Sequence, residues 1–237
     1  MPTPIALPLR RGLQPPFASD YSLFVLLVHS DLEKLIPHFM REIRAHRWAK
    51  NVVRRALPEC ELDASVYYPF QLSGHSWSTI IHRLDSKGRF GVGLCKRLSA
   101  SLAERVIFAG DHDTAGTVDY ILFDSGKLSE VFHWSKLVEF HSLSSGELAQ
   151  IERDGFLRPP YGYYAGSRVR DLNLNEFHVL NQKRGLQFRA QLEHLLDDFL
   201  TTQDAFVAFN VDDEPGTEYY PIAEAKDEMV RIDVVRE

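Results

Sequence analysis

The stretch Arg105–Trp134, RVIFAGDHDTAGTVDYILFDSGKLSEVFHW, decides the fold class. Three runs rich in β-branched and aromatic residues, Arg105–Ala109, Thr117–Phe123 and Leu128–Trp134, follow one another with two short breaks, which predicts consecutive strands. The second break, Asp124-Ser125-Gly126-Lys127, suits a hairpin turn that needs a residue with positive φ. The first break is the polar heptapeptide Gly110-Asp111-His112-Asp113-Thr114-Ala115-Gly116, which sets two carboxylates and an imidazole between glycines.

Upstream, Tyr21–His29 is nearly continuous in apolar residues and predicts a strand buried on both faces. Ser30-Asp31-Leu32-Glu33 reads as a capping box, with Ser30 as the capping hydroxyl, and opens a helix whose Leu32, Leu35, Ile36, Phe39, Met40 and Ile43 recur at helical spacing. Pro37 falls inside that pattern and is expected to kink the helix or end its first segment. Two strands, Ala64–Leu72 and Trp77–Leu84, flank a turn at Ser73-Gly74-His75-Ser76. Val92, Cys95, Leu98 and Leu102 then mark an amphipathic helix that hands over to Arg105. The order through Trp134 is β-α-β-β-α-β-β-β, and the fold class expected is α+β, a mixed or largely antiparallel sheet packed with helices.

Residues 1–20 carry prolines at 2, 4, 8, 15 and 16 and read as a flexible or surface-hugging arm, and residues 21–140 as the α+β unit. Residues 141–237 read as a second helix-and-strand unit, either separate or part of the same domain. In it, Arg158–Gly166 reads as a loop, Leu186–Phe199 as a strong helix, and Ala205–Val211, Glu218–Ile222 and Val230–Val235 as strands.

A chain of 237 residues with 44% hydrophobic residues buries a sizeable core and needs no staples. Cys60 and Cys95 are far apart and form no CxxC, so they read as reduced thiols of a cytoplasmic protein, Cys95 on the core stripe of its helix. Neither a signal-peptide core nor an apolar stretch of membrane-spanning length is visible.

No catalytic signature is complete. Asp111, His112 and Asp113 suit a divalent metal, but their supporting ligands would come from unlinked places such as His75, His82 or His133; the competing reading is a polar Asx turn. The serines around His75 lack a GxSxG elbow, and Gly88–Gly93 is neither a Walker loop nor a dinucleotide fingerprint. No cofactor is expected.

Charge is more telling. Between residues 41 and 55, Arg41, Arg44, Arg47, Lys50, Arg54 and Arg55 stand against Glu42 alone, a balance of +5, with Trp48 among them. Between 193 and 237, thirteen acidic residues stand against Lys226, Arg231 and Arg236, a balance of −10. Such polarity steers oppositely charged partners. The overall charge of −6 disfavours a dedicated nucleic-acid binder, so the basic run reads as a solvated helix face or a contact with the acidic half. The resulting expectation is a non-catalytic interaction protein of bacterial immunity or inhibitor type. It binds a basic protein partner through Tyr161, Tyr163, Tyr164, Asp212, Asp213 and Glu214. The alternative is a divalent-metal hydrolase or nuclease centred on Gly110–Gly116.

Overall fold

The computed structural model describes residues 12–13, 22–50, 66–82, 91–112, 117–135, 140–154, 162–165, 196–207 and 229–236. In chain order the first elements are β1 (Gly12–Leu13), β2 (Ser22–Val28), α1 (Leu32–Ile43), β3 (Arg47–Ala49), β4 (Val66–Leu72), β5 (Ser78–His82), α2 (Val92–Leu102), β6 (Arg105–His112), β7 (Thr117–Asp124) and β8 (Lys127–Ser135). They are followed by β9 (Phe140–Ser142), α3 (Ser145–Asp154), β10 (Gly162–Ala165), a helix α4 over residues 196–202, β11 (Phe206–Val207), β12 (Met229–Ile232) and β13 (Val234–Arg236). The fold is α+β. At its centre β4-β5-β2-β6-β7-β8 form an antiparallel sheet of six neighbouring strands, widened by β13 and β3 on one side and by β10 and β9 on the other.

Strand β2 is buried on both faces, as its apolar run predicts. Leu26 and Val28 join Leu35, Ile36, Phe39 and Leu98 under α1 and α2, while Val25 and Leu27 join Trp77, Leu196, Phe199 and Leu200 under α4. Each fully buried aliphatic side chain contributes about 1.5–3 kcal/mol, so the alternating strand anchors two core layers at once. Leu32, Leu35, Ile36 and Phe39 form the buried stripe of α1, and Phe39 meets Tyr67 edge-on at 5.2 Å. On the opposite face Phe199 stacks on Tyr120 at 4.8 Å.

The start of α1 differs from expectation. Asp31 caps the helix, its Oδ1 accepting from the Lys34 amide at 2.8 Å, because the helix begins at Leu32 and leaves Ser30 one position too early to reach the free amides. Ser30 instead donates to the Asp31 carbonyl at 3.3 Å, and Glu33 reaches Lys50. The helix also runs through Pro37, which lies on its exposed side, where water can solvate the carbonyl deprived of a donor. A true capping box occurs at α3: the Ser144 amide donates to Glu147 Oε2 at 2.9 Å, and the Glu147 amide returns to Ser144 Oγ at 3.3 Å.

The hairpin between β7 and β8 has the anticipated turn, with Ser125 at φ 50° and Gly126 at φ 82°. It also holds a bulge. Asp124 faces Lys127 and Phe123 faces Leu128, but Leu122 faces Glu130, leaving Ser129 as the extra residue.

Segments beyond residue 140 enter the same sheet. Strand β10 pairs with β8 and β9, so Gly162–Ala165, expected as part of a loop, is a strand. Tertiary pairing with β8 overrides the local proline and glycine signal there. Strands β12 and β13 both pair with β4, and β13 also pairs with β3. At the break between them the buried Asp233 donates its amide to the Pro69 carbonyl at 2.8 Å, and its Oδ2 accepts from Trp48 Nε1 at 2.8 Å. In the arm expected over residues 1–20, β1 pairs in parallel with β11. The strand expected at 218–222 and residues 186–195 of the expected helix lie outside the described residues.

Candidate functional site

The polar heptapeptide is not a free-standing loop. Strand β6 continues through Gly110, Asp111 and His112, which pair with β2 on one side and with Asp119, Val118 and Thr117 of β7 on the other. Only residues 113–116 connect the strands, so Asp113 lies outside the described residues. Asp111 and His112 are thus successive positions of a paired strand and not neighbours on a bent loop.

Of the supporting histidines, His75 is at the wrong end. It precedes Ser78, which pairs with Val28, and Val28 pairs with Val106, whereas Ser22 pairs with His112. Six residues of β6 separate these ends, about 20 Å at roughly 3.3 Å per residue. His75 is buried and packs against Phe206 at 5.8 Å, as a core histidine. His82 lies opposite Tyr67, with β2 between its strand and β6.

His133 is placed differently. A register row crosses the sheet from Phe24 through Gly110, Asp119 and His133 to Tyr163 and on to His141. Within it His133 Nδ1 stands 2.5 Å from Asp119 Oδ1, both side chains half-buried at 21% and 23% exposure. Asp119 lies opposite Gly110, which contributes no side chain, and Phe24 stacks on Phe108 at 6.0 Å beside it. A carboxylate bonded to one ring nitrogen fixes the orientation of an imidazole, the arrangement shared by general bases and by metal-binding histidines. Among the described residues no group of three or more His, Cys, Asp or Glu is arranged to hold a metal ion.

The bulge at Ser129 explains why this pair escapes a reading of sequence. A plain two-residue turn that keeps Asp124 opposite Lys127 would set Phe132 across from Asp119; the extra residue moves His133 there.

The remaining interaction candidates fall in two groups. Tyr163 and Tyr164 occupy β10, their backbone fixed between β8 and β9, while Tyr161, Asp212, Asp213 and Glu214 lie outside the described residues. Of the basic run, Arg41 belongs to the last turn of α1, Arg44 ends the helix in the left-handed region at φ 58°, and Arg47 opens β3, so the run is only partly helical. Trp48 is half-buried, with Lys50 Nζ 4.2 Å from its ring centroid. Lys50 also bonds Glu33 at 3.1 Å, and Arg97 bonds Glu42 at 2.7 Å.

Cys95 is buried among Leu94, Leu98 and Leu102, and burial pushes its thiol up to about 12, which suits a core residue and not a nucleophile. No helix among the described residues is long and apolar enough to cross a membrane. No protein-family model, curated protein or solved structure matches the chain.

Proposed function

We propose that the chain is a non-catalytic binding protein of the immunity or inhibitor kind, which takes a basic protein partner through its acidic C-terminal region and the tyrosines of β10. The observation that carries this reading is the balance of −10 over residues 193–237, set against +5 over residues 41–55. Tyr163 and Tyr164 add support. A tyrosine on a strand held from both sides offers contact area with little backbone entropy left to lose. The test is capture of partners from the native host, with poly-lysine as a defined basic probe, by the native chain and by a D212K/D213K/E214K variant. Loss of both interactions in the variant supports the reading; unchanged affinity for both removes these residues from it.

A second reading, divalent-metal hydrolysis, is favoured by one observation, the Asp119–His133 pair beside Gly110. It draws on Asp119 and His133 with His112, two strand positions from the Gly110 that pairs with Asp119, and no longer on Asp111 or His75. Saturating Mn²⁺ or Zn²⁺ at about a hundred times Kd would stabilise the fold by about 2.7 kcal/mol, a rise of roughly 5–11 °C in Tm. Native protein without stoichiometric metal on elemental analysis, and with an unmoved Tm, removes this reading.

A further inference from the structure

The cationic rim at the end of α1 is a separate surface, and the binding reading above leaves it unused. Most basic groups in its neighbourhood are committed: Lys34 to Glu104, Lys50 to Glu33, and Arg97 to Glu42, while Arg41 lies against His38 and Glu42. Arg44, His46 and Arg47 are different. All three are exposed, and among the described residues their side chains have no ion pair. Arg44 is moreover held at φ 58°, at a helix end where glycine would be less strained. Next to them β3 is the terminal strand in the order of the sheet, paired with β13 on one side and with no described strand on the other.

We infer that this rim, Arg44, His46 and Arg47 beside the outer edge of β3, docks an extended acidic peptide segment of a partner protein by strand addition. Short, positively charged edge strands resist indiscriminate pairing. A strand carrying carboxylates escapes that repulsion and gains complementary charge instead, so the same feature that protects the edge selects its partner. Nucleic acid fits less well. The base-stacking residue such a surface would use is Trp48, and its ring is covered by Lys50 while its Nε1 is held by Asp233.

The experiment is fluorescence anisotropy of a labelled peptide of about eight alternating glutamates and valines against the full chain. Three comparison probes accompany it: a glutamine-for-glutamate version, a version with proline replacing the central valines, and a single-stranded oligothymidine of equal charge. The acidic peptide is expected to bind, to lose about tenfold in affinity in the R44E/R47E variant, and to lose at least as much when its glutamates become glutamines or when proline removes its ladder donors. Arg47→Glu alone, at an exposed site, retains the native Tm and gives an intermediate loss. Failure of the acidic peptide to bind, indifference to R44E/R47E, equal binding of the proline version, or equal binding of the oligothymidine each overturns the inference.

Discussion

Gly126 offers the sharpest test of how the β7–β8 hairpin is locked to its helix. The residue sits at φ 82°, its amide donates to Ser99 Oγ at 2.9 Å, and a Cβ built on it would lie 2.7 Å from Ala100 Cβ and 3.1 Å from Ala100 Cα. Gly126→Ala therefore adds two penalties. Left-handed backbone costs a residue bearing a Cβ about 1–2 kcal/mol, and forcing a methyl group into occupied space costs about 1–3 kcal/mol. The sum, about 2–5 kcal/mol, corresponds to a fall of roughly 4–20 °C in Tm for a chain of this size. Urea unfolding followed by circular dichroism should show a lower midpoint at unchanged slope. The double variant Gly126→Ala with Ala100→Gly separates the two terms: it relieves the clash and retains the φ penalty, against the roughly 1 kcal/mol that glycine costs inside a helix. A loss below about 0.5 kcal/mol in the single variant would refute the packing of this turn on α2.

Three further expectations follow from local chemistry. Asp31→Ala removes the N-cap of α1 and should cost about 1 kcal/mol in chemical unfolding, with a smaller loss in Ser30→Ala, since Asp31 and not Ser30 is the cap. Glu104 titrates below its ordinary value of 4.5, first because Lys34 hydrogen-bonds it; partial desolvation opposes this, and His29 adds to the lowering. Its folded value being the lower one, Glu104 stabilises the fold above about pH 4.5 and loses that contribution as pH falls through the folded value, so Glu104→Gln should lower stability at neutral pH, flatten the acid limb of a stability-versus-pH curve, and converge with the native protein at low pH. With its thiol pushed up to about 12, Cys95 in a Cys60→Ser background should resist iodoacetamide at pH 8 until the fold opens; rapid native alkylation would contradict its burial.

Patterns of local origin were legible in the sequence. The two-sided burial of β2, the stripe of α1, the core position of Cys95 and the positive φ at Gly126 each depend on spacing or on a single residue's conformational freedom, and each appears in the structure. Long-range pairing was not legible. Nothing in Gly162–Ala165 announces a strand, because its stability comes from β8 and β9 and not from its own residues. The site shows the same division. Asp111 and His112 are neighbours in sequence and occupy successive strand positions, while Asp119 and His133 meet because one extra serine shifts a register. Choosing between Asp31 and Ser30 as the cap also lay beyond pattern, since both residues are good caps and only geometry decides.

The strand pair β12 and β13 has a bearing on how the protein is made. Trp48 and Asp233 are 185 residues apart in the chain, and β13 lies between β3 and β4, which therefore never touch as neighbours. During synthesis β4 cannot gain its β13 neighbour until residues 234–236 have left the ribosome. Closure over so long a loop is entropically slow. For that interval an apolar strand edge is open to other nascent chains, and the vulnerable state of this protein is the one in which β13 is not yet in place.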